Sequence, residues 1–248
     1  MFLDESGLGQ AGLGEAFVFA GFMGSVPAWE HFAHEWDRLL RESPVLTAKG
    51  FKNLLRRKRD SPRVLKFVEV LKDCEVYRVS VIIPRKAFQD GVIAELPKWQ
   101  SRGLAEDAVS LFRNEYYFGF FATIMSILIP MAQVAKKSTK LEVVYDLNIQ
   151  EVENLKTGYR DFLTNVPDVA ARLAQEPHGE TDDDFMPLQA ADLVSWHIHR
   201  DFFERQHGRE HIDSVWSALK ELNTYPPIVL GEADLRRACW NRLDQILG

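Results

Sequence analysis

The chain has 248 residues, 46% of them hydrophobic, so it can bury a sizeable core. Its 30 Lys and Arg residues against 36 Asp and Glu residues give a formal net charge of -6. This balance excludes a uniformly basic nucleic-acid-binding surface and leaves only local basic patches. Because the chain has no internal repeat or low-complexity linker, we predict a single domain over residues 1–248.

The first half of the chain is predicted to begin with strands. Residues 2–4 are extended and apolar, and a glycine-rich turn leads to a second apolar strand at Ala16–Met23, which together predict a hairpin. Residues 27–41 carry apolar side chains at helical spacing and predict an amphipathic helix on the flank of a sheet. A basic stretch at residues 49–66 runs into a second helix. Residues 75–84 predict a third strand.

The second half alternates between helices and strands. We predict a polar connection at residues 90–103, a long helix at 104–134 and a fourth strand at 141–146. A helix at 149–163 and a short fifth strand at 169–175 follow. The last segments are a helix from Asp184 to about Gln206 and then covering helices and loops. This order is found in ribonuclease-H-like α/β proteins, here with a helical insertion between strands two and three and a helical C-terminal extension.

One apolar run raises the question of a membrane span. Residues 116–135 carry no formal charge, yet Thr123 and Pro130 interrupt them and a charge-rich segment precedes them. We therefore predict a buried central helix and no membrane association. The acids near the N-terminus do not fit a secretory signal, and Cys74 and Cys239 lie far apart, so we expect a reducing, cytoplasmic setting.

Three acids are the candidate metal ligands. Asp4 and Asp146 each close an apolar strand, and neighbouring strand ends share one crevice in an open α/β sheet. Asp192 lies in an otherwise apolar helix, where burying a carboxylate without a partner is costly, and Gln189 shares its helical face. Two Mg²⁺ or Mn²⁺ ions, about 4 Å apart, on such carboxylates would hydrolyse phosphodiesters. The alternatives are turn or N-cap acids at positions 4 and 146, and for Asp192 an arginine partner or contact with solvent.

Two short motifs support this interpretation through a family resemblance. Asp4-Glu5-Ser6-Gly7 near the start, with Gln189-x-x-Asp192 in a late helix, resembles the family called domain of unknown function 3800, which is placed among ribonuclease-H-like proteins. The likeness spans nearly the whole chain in order and spacing. It implies a sheet with a carboxylate cluster and nuclease activity, to which Asp4, Asp146 and Asp192 correspond here.

A further acid could complete the cluster. Glu5 points to the opposite side of the strand from Asp4 if the strand continues. Asp184 ends a run of three acids, where a solvated loop or a helix N-cap is the alternative. Glu115 and Glu106 lie on the predicted long helix. The sequence does not choose among these acids.

A local basic patch is the candidate nucleic-acid contact. Residues 49–66 hold eight cations and one acid, a composition suited to a phosphate backbone. A solvated helix face is the alternative. The proposed contact residues are Lys49, Lys52, Arg56, Arg57, Lys58, Arg59 and Arg63.

Two hypotheses from different classes follow. The first is a metal-dependent nuclease for DNA or RNA, in which Gln189 orients a ligand or a water molecule. The second is a non-catalytic nucleic-acid-binding or protein-interaction module on the same fold.

Two histidines, His197 and His199, stand two apart on a helix, so they should diverge and not share a metal.

Overall fold

A mixed sheet organises the computed structural model, which describes residues 1–7, 15–58, 61–136, 138–147, 152–165, 167–183 and 185–247. Within these ranges six strands lie in the order β5-β4-β1-β2-β3-β6. They are β1 (Phe2–Ser6), β2 (Ala16–Met23), β3 (Tyr77–Pro84), β4 (Val144–Asp146), β5 (His178–Glu180) and β6 (Ile228–Val229). The first three strands are antiparallel neighbours, whereas β4 is parallel to β1, β5 to β4, and β6 to β3.

Helices occupy every long connection of this sheet. Three lie between β2 and β3, namely α1 (Val26–Arg41), α2 (Ala48–Lys58) and α3 (Pro62–Asp73). Four lead from β3 to β4, namely α4 (Arg85–Gly91), α5 (Leu96–Ser101), α6 (Glu106–Phe112) and α7 (Glu115–Val134). The remaining helices are α8 (Val152–Asn165), α9 (Pro167–Ala170), α10 (Met186–Gln206), α11 (Ser214–Lys220) and α12 (Glu232–Leu247). The helical segment predicted between strands two and three is present, and the part of the chain after α10 contains β6 besides its helices.

Each face of the sheet carries its own core. Side chains alternate along a strand, so Phe17 and Phe19 of β2 face α7, whereas Val18 and Ala20 face α10. On the α7 side the Phe19 ring packs edge-on against Tyr116 and Phe120. The core on the α10 side is extended by a cluster of aromatic rings from the inserted helices, namely Phe32, Trp36, Phe51 and Phe67. Because side chains alternate along β1 as well, the position of a residue on this strand decides which of the two cores it faces.

Three predicted elements are wrong in detail. The long helix is broken because Asn114 caps α7, its side chain accepting the Tyr117 backbone N–H at 3.0 Å. The polar connection at 90–103 instead contains α5, which buries Leu96 and Trp99. No strand forms at 169–175, although Leu173 makes an isolated bridge. The fifth strand lies at His178–Glu180, where pairing with β4 decides its position because these residues have little strand propensity of their own.

The apolar run at 116–135 forms most of α7, which packs against β2 and β3. Across the described residues, no helix has both the length and the apolarity that a membrane span needs. The two cysteines, Cys74 and Cys239, are free and buried.

Gly21 lets β1 lie close against β2. Replacing it tests how much this close approach contributes to the stability of the fold. A Cβ at this position would come within 1.9 Å of the Phe2 carbonyl oxygen. We therefore expect Gly21→Ala to lower the free energy of unfolding by about 1–3 kcal/mol, because backbone must move. Urea unfolding measures the loss. Gly50→Ala, where the nearest atoms are side-chain atoms at 3.3 Å, is the control, and equal stability of Gly21→Ala and wild type would contradict the prediction.

Candidate functional site: a carboxylate cluster

Parallel pairing of β1 with β4 brings Asp4 and Asp146 together. Asp146 is the last residue of β4, as predicted, whereas Asp4 lies in the middle of β1, which continues to Ser6 because it pairs with β2 along its whole length. The register of β1 on β4 pairs Phe2 with Val144 and Leu3 with Tyr145. One step further along the same register, Asp4 stands beside Asp146. Leu3 and Tyr145 belong to the core on the α7 side, so the two acids that follow them project toward α10.

Asp192 reaches the same place from α10. This helix packs on β1 and β2 through the apolar residues Ala190, Leu193 and Val194. The charge of Asp192 raises the pKa of both Asp4 and Asp146. The three acids that the sequence selected therefore lie within electrostatic reach of one another, although they are 142 and 46 positions apart along the chain.

Asp4 is the most deeply placed member of this cluster. Burial raises the pKa of its carboxyl well above the usual range, and the charges of Glu5, Asp192 and Asp146 raise it further. One hydrogen bond opposes this effect, since the Glu5 backbone N–H donates to Asp4 Oδ1 at 2.7 Å. Burial and the neighbouring acids therefore disfavour the ionised form of this carboxyl, and a cation placed beside it would favour that form.

Lys52 is the cation that the chain itself supplies to the cluster. Its ammonium lies 3.0 Å from Oδ2 of the buried Asp182. Burial lowers the pKa of Lys52, but the hydrogen bond and charge of Asp182, with the charges of Asp146 and Asp192, outweigh burial and raise it. At Asp146, burial raises the pKa, Lys52 lowers it, and Asp182 raises it again. One positive charge is therefore shared among several carboxylates.

Gln189 holds the loop that carries Asp182. Its side chain is buried, and its Oε1 accepts the indole N–H of Trp36 at 2.9 Å. Its Nε2 donates to the backbone carbonyl of Asp182, also at 2.9 Å. The amide thus joins α1, α10 and the loop after β5, and it acts on the cluster by positioning Asp182.

Removing this amide should lower the free energy of unfolding. Gln189→Leu keeps the side-chain size but leaves the Trp36 indole N–H and the Asp182 carbonyl without their partner, so we expect a loss of about 2 kcal/mol or more. Urea unfolding provides the measurement. In a double-mutant cycle with Trp36→Phe, the two losses should be less than additive. A change below about 0.5 kcal/mol for Gln189→Leu would show that the two bonds contribute nothing.

The candidate additional acids have different surroundings. Glu5 projects toward α7, where its charge adds to burial in raising the pKa of the Tyr116 hydroxyl. Glu115 forms an ion pair with Arg85 at 3.5 Å, and burial raises its pKa. Asp184 lies outside the described residues. Two acids that the sequence did not select stand closer to Asp146, namely Glu180, its register partner on β5, and Asp182.

The basic patch divides between different roles. Lys52 enters the carboxylate cluster, and Arg63 donates to the backbone carbonyls of Leu39, Glu42 and Pro44 near the end of α1. Arg63 therefore fastens α3 to α1. The side chains of Lys49, Arg56, Arg57 and Lys58, and the whole of Arg59, lie outside the described residues.

Two features of this site were missed in the sequence. Phe51 and Leu55 are buried one turn apart on α2, which fixes the side of the helix that Lys52 borders, and this apolar pair was the available signal. Glu180 was missed because the fifth strand was placed too early in the chain.

The fold and the site together define a mixed α/β protein with a carboxylate cluster on two adjacent parallel strands and the helix that packs against them. No family model matches the chain, and neither the curated proteins nor the solved structures contain a match.

Proposed function

We propose that this protein is a divalent-metal-dependent nuclease that hydrolyses phosphodiesters of DNA or RNA. The observation that carries the proposal is the convergence of Asp4, Asp146 and Asp192 on one side of the sheet. Asp4 is buried, and the charges of both Asp192 and Asp146 raise the pKa of its carboxyl. Gathering several ionised carboxylates around a buried one is costly unless cations enter the site.

The topology supports a ribonuclease-H-like assignment. Three antiparallel strands are followed by two parallel strands added beside β1, in the order β3-β2-β1-β4-β5. The acids of this proposal lie on β1, on β4 and on the helix after β5. The positions on β1 and on the helix after β5 carry the two motifs of the resemblance to domain of unknown function 3800, and the carboxylate cluster that this resemblance implies would include Asp146 on β4.

The donor chemistry of the cluster fits Mg²⁺ or Mn²⁺. Carboxylate oxygens are the ligands these ions prefer, and Asp4, Asp146 and Asp192 would hold them. When bound, two such ions supply the positive charge that activates water and stabilises the leaving oxygen. Glu180 and Asp182 border the cluster and are the best candidates for a fourth carboxylate, while Gln189 keeps the Asp182 loop in place.

A nucleic acid would approach from the side of α2. This helix contributes Lys52 to the cluster and carries the basic residues of the 49–58 stretch, which suit a phosphate backbone. Because the chain is negatively charged overall, favourable contact with a nucleic acid needs a local basic region such as this one. The free, buried cysteines accord with a cytoplasmic, reducing location for this activity.

One observation favours a second candidate function. The ion pair between Lys52 and Asp182 already brings a positive charge into the cluster. In a non-catalytic nucleic-acid-binding or protein-interaction module, the Lys52 ammonium would neutralise the carboxylates in place of a metal ion. The carboxylates would then serve only the hydrogen-bond and charge network of the fold.

A cleavage assay separates the two functions. The protein is incubated with single- and double-stranded DNA and RNA, in Mg²⁺, in Mn²⁺ and in chelator. The nuclease proposal predicts metal-stimulated cutting that is lost in Asp4→Ala and Asp192→Ala but kept in Asp168→Ala, an exposed acid of α9. Folded wild-type protein that binds nucleic acid and never cuts it, in any metal, would support the second function.

A further inference from the structure

A second cluster of side chains that can bind a metal joins the middle of α10 to the loop that follows this helix. His197 is on α10, whereas His211 and Asp213 are in the loop that leads to α11. His197 Nδ1 lies 3.1 Å from His211 Nε2, and His211 Nε2 lies 2.8 Å from Asp213 Oδ2. The third separation, from His197 Nδ1 to Asp213 Oδ2, is 3.5 Å. His199 diverges from this group, as the sequence predicted, and lies beside Gly7.

These three separations match those of a zinc site. With Zn–N and Zn–O bonds of about 2.0–2.1 Å in a tetrahedron, ligand atoms stand about 3.3 Å apart. One cation placed among the three atoms would therefore reach all of them with little movement. We propose that His197, His211 and Asp213 form a zinc-binding site with three protein ligands and one open coordination position.

The surroundings hold these ligands in the required orientation. The second oxygen of Asp213 accepts the Trp216 backbone N–H at 2.6 Å, which fixes the carboxylate while capping α11. The Trp216 ring lies parallel to the His197 ring, with centroids 6.0 Å apart, and Trp196 meets His197 edge-on. Aromatic walls of this kind exclude water and favour a neutral imidazole. Burial indeed lowers the pKa of His211, against the charge of Asp213.

The open position faces a surface cleft. The cleft has a volume of about 710 Å³ and reaches His211 and Asp213 from solvent. Arg200 and Arg209 line it, but both are paired with the carboxylate of Glu204, so their charges are largely compensated. A metal ion can enter by this route, and a water molecule or a small anionic group would fill its fourth position.

Metal titration of the full chain tests the proposal. After chelator treatment, we expect wild type to bind one Zn²⁺ by calorimetry, and Co²⁺ to give the visible absorption of a tetrahedral complex with nitrogen ligands. His211→Ala should weaken Zn²⁺ binding about 100-fold or more. Asp213→Asn retains the helix cap and should also weaken binding, because an amide is a poorer ligand.

The control distinguishes this site from the carboxylate cluster. Asp4→Asn and Asp192→Asn should leave tetrahedral Co²⁺ absorption and Zn²⁺ affinity unchanged, whatever they do to nuclease activity. The proposal would be overturned by correctly folded wild type that binds no Zn²⁺, or by Zn²⁺ binding that survives both His211→Ala and Asp213→Asn. The three side chains would then form only a hydrogen-bonded group. Zn²⁺ binding that is lost in Asp192→Asn but kept in His211→Ala would also overturn the proposal.

Discussion

Asp192→Asn should lower kcat/KM for metal-dependent cleavage by about 10³-fold or more while the protein stays folded. The substitution keeps the shape of the side chain but removes the charge that a divalent cation requires, and losses of this size are typical when a group stabilising the transition state is removed. Asp146→Asn should have a similar effect. Because the two acids would act on the same ions, the double variant should be little worse than either single variant.

The matched control for these variants is Asp168→Asn, which changes an exposed acid and should retain full activity. Single-turnover cleavage at saturating Mn²⁺, with thermal unfolding of each variant, provides the comparison. If Asp192→Asn and Asp146→Asn retained activity within a factor of about ten, these carboxylates would not be the metal ligands of a nuclease.

Asp4→Asn should make the metal-free protein more stable at neutral pH, by about 0.5–2 kcal/mol, as is common when a strained functional site is neutralised. Burial and the neighbouring acids raise the pKa of Asp4 in the folded state. The folded chain therefore keeps a proton that the unfolded chain has lost, so stability falls as the pH rises above about 4, the ordinary range of an aspartate. The advantage of Asn should grow over the same pH range and vanish below it.

Urea unfolding in chelator from pH 4 to pH 8 measures this difference. The control is again Asp168→Asn, whose difference from wild type should not vary in this way. Added Mn²⁺ should stabilise wild type but not Asp4→Asn, because only wild type gains a bound ion. An Asp4→Asn variant that is less stable than wild type in chelator at pH 7 would contradict the claim that the Asp4 carboxylate destabilises the metal-free fold.

The strands that carry the site were predictable because their signals are local. Asp4 and Asp146 each end an apolar run, and parallel pairing of two such runs is enough to bring both acids to one edge. Asp192 was predictable from the cost of a carboxylate in an apolar helix. The face toward which Glu5 projects followed from the alternation of a strand.

The remaining features depend on contacts that no local pattern encodes. Lys52 belongs to a run of cations that are alike in sequence, and only the packing of Phe51 and Leu55 directs its helix toward the acids. Gln189 was expected at a ligand, but the approach of Trp36 from the inserted helices ties its amide to the loop of Asp182. Likewise, His197 meets His211 and Asp213 only because the chain turns back after α10.

The most direct measurement is anomalous diffraction from crystals grown with Mn²⁺. We predict at least one Mn²⁺ peak within about 2.5 Å of carboxylate oxygens from Asp4, Asp146 and Asp192, with the Lys52 ammonium displaced from the cluster. Crystals at saturating Mn²⁺ with no peak there, and with Lys52 still on Asp182, would contradict a metal site at these carboxylates.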